Sequence, residues 1–116
     1  TLFRSNEETP MAGQWFEQFH VGQVFEHEIR RTVTETDLVN FISCTGMLEL
    51  LFTNEIYRQT ESAIKGRLVP GALVFSMAEG LCIGGTIQGT GMAFLGMDLE
   101  IKGPTFAGDT IRVDIE

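Results

Sequence analysis

"PGALVFSMAEGLCIGG", Pro70 to Gly85, is the stretch that decides how this chain folds. Proline suits the start of a helix, where its missing N–H leaves nothing unpaired, and the Gly84-Gly85 pair reads as a stop. Between them Ala72, Leu73, Phe75, Met77, Ala78, Leu81 and Cys82 cover most of the helical circumference. A surface helix would carry one apolar stripe, whereas a helix apolar nearly all round has to be wrapped by other elements. The expectation is one long central helix enclosed by a sheet.

Working outward from that helix, "GMAFLGMDLEIKG" alternates from Met92 to Lys102. Ala93, Leu95, Met97, Leu99 and Ile101 fall on one face, and Phe94, Gly96, Asp98, Glu100 and Lys102 on the other. A period of two over that length predicts a strand, more polar outside toward its end. "PTFAGDT" then reads as a turn, and "IRVDIE" as the start of a further strand.

On the other side, Val24 to Val33 alternates loosely, with Phe25, Ile29 and Val33 set against Glu26, Glu28 and Arg30, which suits a partly buried strand. "TETD", Thr34 to Asp37, changes the period: the Thr34 hydroxyl can accept the N3 amide, and Asp37 lies where a carboxylate favours the positive end of a helix. Leu38, Phe41 and Ile42 place an apolar stripe on a helix that Gly46 ends. Asn54 starts a second short helical segment, "EIYRQTESA", by the same capping logic. Strand, helices, a central helix and then successive antiparallel strands make an α+β sheet curved around a helix.

The 116 residues amount to one domain, read as a flexible polar arm over 1–14 and a single folded unit over 15–116. Apolar residues at 43% and charged residues at 21% are ordinary for a globular chain. A net charge of -8 with only eight cations makes nucleic acid a poor general partner, because phosphate contacts need clustered Lys and Arg. Lys65 and Arg67 lie together in "KGRLVPG", either as a solvated basic turn or as a local holder of a small anionic ligand. No apolar run approaches the ~18 residues that cross a bilayer, and the N-terminus carries no signal-peptide pattern. No membrane partner and a cytoplasmic location are therefore expected.

Cys44 and Cys82 sit inside apolar helical patterns, which predicts buried reduced thiols rather than a disulfide or a metal site. His20 and His27 have no partner at metal-ligand spacing, and neither CxxC nor HExxH occurs. Neither a metal nor another cofactor is expected.

"FHVGQVFEHEIRRTVTETDLVNFISCTG", "GRLVPGALVFSMAEGL" and "GMAFLGMDLEIKGPTFAGDTIRV" follow one another from Phe16 onward. In order and spacing they resemble the MaoC-like acyl dehydratases, the (R)-specific enoyl-CoA hydratases. The resemblance implies a hotdog fold, an antiparallel sheet wrapped around a long central helix, with two more strands than the sequence here supplies. It also implies an acyl thioester as ligand, on CoA or on an acyl-carrier protein, and a dimer whose ligand tunnel lies at the subunit interface. The partner would be a second copy or a related hotdog subunit.

In the family, the loop after the first helix reads roughly TGD, N, P, a variable residue and H, and its Asp and His add water across a 2-enoyl thioester by general acid-base chemistry. Here that loop reads "TGMLELLF", which puts Met47 at the Asp position, Glu49 at the Asn position, Leu50 at the Pro position and Phe52 at the His position. Neither Met nor Phe transfers a proton. The family His beside the central helix is Pro70, while Gly71 retains the place whose backbone N–H grips the thioester carbonyl.

Three functional expectations follow. The first is a hydro-lyase with a rearranged acid-base set, in which a desolvated Glu49 replaces the lost pair and Gly71 supplies the oxyanion donor; Glu49 pointing to solvent is the plainer alternative. The second is an inactive acyl-thioester-binding subunit whose acyl chain lies among Met47, Leu48, Leu51, Phe52, Phe75 and Met77, with Lys65 and Arg67 at the anionic end. The third is a structural hotdog module without a ligand, against which an apolar tunnel of ~300 Å³ or more opening at Gly71 would count.

Overall fold

The computed structural model describes residues 13–116. Of the arm expected over 1–14, residues 1–12 lie outside the described residues. Gln14 is docked: its N–H donates to the Thr86 carbonyl at 2.7 Å, and its own carbonyl accepts from the Thr90 hydroxyl at 2.7 Å.

The first strand forms two short ladders with the last. β1 (Phe25–Glu26) pairs antiparallel with β4 (Asp114–Ile115), and β2 (Arg31–Thr32) pairs antiparallel with β3 (Thr110–Ile111). Between the ladders lie residues 27–30 on one strand and 112–113 on the other, so the first strand carries 4 − 2 = 2 extra residues. That mismatch is a bulge, which bends a sheet and sharpens its twist. The His27 backbone N–H donates to the Val113 carbonyl at 3.3 Å and its ring Nδ1 lies 3.2 Å from the same oxygen, anchoring the bulge on one acceptor. The segment ahead of β3 is tied to the approach to the central helix: an isolated bridge joins Leu68 to Phe106, and the Val69 N–H donates to the Thr105 carbonyl at 2.8 Å.

Helix α1 (Glu35–Thr45) starts as its capping sequence predicts. The Asp37 N–H donates to the Thr34 hydroxyl at 3.1 Å, and the Thr34 N–H donates to the Asp37 carboxylate at 2.9 Å. Gly46 ends it in the left-handed conformation, φ 66°, which glycine adopts without a Cβ penalty. The hydrogen bond from the Thr34 backbone, aided by the Thr34 side chain and Arg31 and opposed by burial, holds the Asp37 carboxyl below the usual carboxylate range. A depressed folded-state pKa gives stability that is fully present above the unfolded value near 3.8 and lost as pH falls through the lower folded value. Asp37→Asn should therefore be less stable than the parent at neutral pH, with the gap closing below about pH 4 in urea titrations run across pH. Thr34→Ala, which removes the other half of the box, should cost about 1 kcal/mol.

Two short helices follow, α2 (Leu50–Thr53) and α3 (Glu55–Thr60), the second capped by Asn54, whose side-chain oxygen accepts from the Tyr57 N–H at 2.9 Å. Arg58 of α3 is buried and pairs with Glu55, while its Nε has no partner among the described residues. A buried guanidinium with one unsatisfied donor contributes little net stability, because desolvation offsets the pairing. Arg58→Met should shift the urea midpoint by the equivalent of no more than about 1 kcal/mol.

Helix α4 (Gly71–Thr86) is the central helix expected over Pro70 to Gly85, with Pro70 as its N-cap. It runs through the Gly84-Gly85 pair instead of stopping there. A glycine inside a helix costs only about 1 kcal/mol, and the end is sealed one residue later, where Gln14 takes the Thr86 carbonyl and the Thr86 hydroxyl donates to the Cys82 carbonyl at 2.7 Å. Gly85 has a packing role: a Cβ there would lie 3.1 Å from the His27 ring.

Val33, Val69, Leu73 and Met77 form the buried core, with Phe41, Val74 and Ile111 packed against it; Leu38 is also fully buried. Among the described residues α4 is covered on one side only. The exposed stripe is Ala72, Ser76, Gly80 and Gly84, the small residues, so leaving it in water forfeits little apolar burial.

Two local expectations are corrected. Residues 92–102 form no ladder among the described residues and are exposed throughout. Alternation shows which side chains could share a face, but a strand exists only where a neighbour takes its N–H and C=O groups. The alternation itself is broken: Phe94 packs edge-on against Phe75 at 6.3 Å and Ile101 lies against Gly71, although residues separated by 101 − 94 = 7 would point to opposite faces of a regular strand. Cys44 is exposed and not buried, since it lies on the outer side of α1; Cys82 is half-buried and donates its thiol to the Glu79 carbonyl at 3.1 Å, its pKa raised by burial and by the Glu79 charge.

Candidate functional site

Residues 71, 74, 75 and 78 recur at helical spacing and turn one face of α4 toward a cavity of about 420 Å³. Gly71, Val74, Phe75 and Ala78 form that wall. Phe52 from α2 contributes a second, and Leu99 and Ile101 from the unpaired stretch a third. The interior is chiefly apolar. Glu100 and Lys102 reach its rim, each with a side chain 80% exposed and 3.9 Å from the other.

Pro70 and Gly71, at the start of the helix, line the cavity as well. The Leu73 and Val74 N–H groups both donate to the Pro70 carbonyl, at 3.0 and 3.2 Å, whereas those of Gly71 and Ala72 find no backbone acceptor among the described residues. No acidic side chain occupies the first turn, so the positive end of the helix dipole is uncompensated there. This is an arrangement suited to a carbonyl oxygen that carries partial negative charge. Ile101 approaches Gly71 closely: a Cβ would stand 2.1 Å from the Ile101 Cδ1, so a larger residue at 71 would have to displace that side chain.

Of the residues read from the sequence, the cavity gathers Gly71, Phe52 and Phe75. Glu49 is the exposed N-cap of α2, makes no side-chain capping bond and does not line the cavity. Met47 and Leu51 are half-buried and Leu48 is 79% exposed, all outside it. Met77 is in the core and borders a different, shallower groove of about 500 Å³ between α1 and α4.

Lys65 donates to the Gln59 carbonyl at 3.0 Å, and Arg67 is engaged on both sides. Its Nε donates to the Glu35 carboxylate oxygens at 2.8 and 3.0 Å, and its Nη1 donates to the Phe52 carbonyl at 2.6 Å. Arg67 thereby ties the first turn of α1 to the residue that forms a cavity wall. Arg67→Ala should cost about 2 kcal/mol in chemical denaturation, and Arg67→Lys should restore little of it, because an ammonium cannot serve both partners with the guanidinium fork.

Val74, Ala78, Leu99 and Ile101 were not singled out as site residues by sequence. The i, i+3, i+4, i+7 spacing of 71, 74, 75 and 78 was available as a signal; the approach of 99 and 101 to Gly71 was not, since it depends on a contact about thirty residues away along the chain.

Fold and cavity together define the class: this is a hotdog-fold protein, with a long helix carried by antiparallel strands and an apolar cavity at the helix start. The chain is similar to the X-ray structure of a monoamine oxidase regulatory protein from Archaeoglobus fulgius, with a TM-score of 0.76 and 29% identity over 90% of this chain and 72% of that one. That likeness supports the MaoC-like resemblance carried by the motifs, without reaching a particular acyl dehydratase. No family model and no curated protein matches the chain.

Among the described residues, no helix is long and apolar enough to cross a membrane.

Proposed function

We propose that this protein binds an acyl thioester in the cavity at the start of α4 and does so without the hydration chemistry of the MaoC-like hydratases. The observation that carries the reading is a chiefly apolar cavity of about 420 Å³ lined by Gly71, whose N–H, like that of Ala72, has no backbone acceptor among the described residues. Its size falls within the ~300–1,000 Å³ of small-molecule sites, which disfavours a purely structural module.

The case against hydration is one of reach. A general acid or base has to come within hydrogen-bond distance of the reacting atoms. Phe52 stands in the cavity at the family His position, Met47 at the family Asp position lies outside it, and Glu49 is exposed. Glu100 stays at the rim with its side chain in solvent.

The stretch over 92–102, exposed and without a ladder partner among the described residues, supports association with a second hotdog subunit, either a copy of this chain or a related chain that carries the Asp and His. Butyryl-CoA should raise the melting temperature well beyond any effect of CoA alone, and crotonyl-CoA should not be hydrated by the isolated protein. Equal effects of CoA and butyryl-CoA would remove the acyl-binding reading, and turnover of crotonyl-CoA would remove the inactive one.

A further inference from the structure

Ile101 lies where it would have to share space with the thioester. Its Cδ1 stands 2.1 Å from the position of a Cβ on Gly71, so the methyl is pressed onto the Gly71 backbone; both residues line the cavity, and the Gly71 N–H has no backbone acceptor among the described residues. A carbonyl oxygen accepting from that N–H would come to about 2.9 Å from the nitrogen. The carbon next to the carbonyl would then share the space that the Ile101 methyl lines, with carbon–carbon contact limited to about 3.5–4.0 Å.

We propose that Ile101 is the specificity-determining residue of this cavity and restricts it to acyl groups unbranched at the carbon next to the thioester. The inference rests on the acyl-thioester reading and deepens it by naming the substrate class. A methyl branch at that carbon needs the volume that Cδ1 fills. The side chain is otherwise 62% exposed, on a stretch that contributes no ladder and no buried core residue, so shortening it should not unfold the protein.

The test is calorimetric titration of the parent, Ile101→Ala and Ile101→Leu with butyryl-CoA and 2-methylbutyryl-CoA, with CoA as the blank. The parent should prefer butyryl-CoA by about tenfold or more, the scale on which an apolar pocket discriminates one methyl group. Ile101→Ala should bind both within about threefold of each other, whereas Ile101→Leu, which keeps the volume, should retain most of the preference. An unchanged preference in Ile101→Ala, or a parent that binds both thioesters equally, overturns this inference and leaves the acyl-thioester reading standing. Binding of neither thioester by any of the three proteins overturns that reading and this inference with it.

Discussion

Leu38→Ala should lower the free energy of unfolding by about 2–5 kcal/mol, the cost of removing buried methyl groups and leaving a cavity that the surroundings fill only in part. Leu38 is fully buried in the first turns of α1, one turn after the capping residue Thr34, and Val33, which leads into the helix, is fully buried as well. A domain of this size is stable by only ~5–15 kcal/mol, so the substitution would consume a large share of the total. Urea denaturation followed by circular dichroism should show a lower midpoint with little change in slope. A loss under about 1 kcal/mol would mean that α1 is not packed as described. Val33→Ala, in the same core, removes less volume and should cost less.

Ala78→Phe should abolish stabilisation by butyryl-CoA while leaving the fold intact. Ala78 is half-buried on the inner wall of the cavity, one helical turn from Val74, and a phenyl group there fills the space assigned to the acyl chain. In the parent, ligand at a hundred times its dissociation constant stabilises by about 2.7 kcal/mol, a shift of roughly 10 °C or more for a domain of about 100 residues. In Ala78→Phe that shift should vanish, with the far-ultraviolet spectrum unchanged because Phe lowers helix propensity by well under 1 kcal/mol relative to Ala. A full shift retained in the variant would place the ligand elsewhere.

The two experiments separate scaffold from site. Leu38 has no part in the cavity, and Ala78 is outside the group of fully buried residues. Sites this far apart in role should give effects that add, provided they share no partner.

The sequence by itself determined the elements whose causes are local. The capping box of α1 follows from a threonine and an aspartate three residues apart, the end of α1 from a glycine that accepts φ 66°, the start of α3 from Asn54, and the start of α4 from Pro70. Each has a cause within one helical turn, a side chain that caps the backbone at Thr34, Asp37 and Asn54 or a conformational preference at Gly46 and Pro70, so their spacing is enough to read them. That Met47 and Phe52 cannot transfer a proton was equally legible, because it depends on side-chain chemistry alone; the family positions given to them rest on the resemblance.

Only the tertiary structure decided what depends on contacts between distant segments. The small-residue stripe of α4 is left uncovered, although composition alone reads as apolar nearly all round. Residues 92–102 alternate like a strand but take no ladder partner among the described residues, because pairing is a property of two segments and the pattern belongs to one. Arg67, readable as an anion holder, is engaged by Glu35 and the Phe52 carbonyl, and Glu49, readable as a desolvated base, stands in solvent. Ile101 reaches Gly71 across thirty residues of chain, and with it the cavity acquires the wall that no local pattern announces.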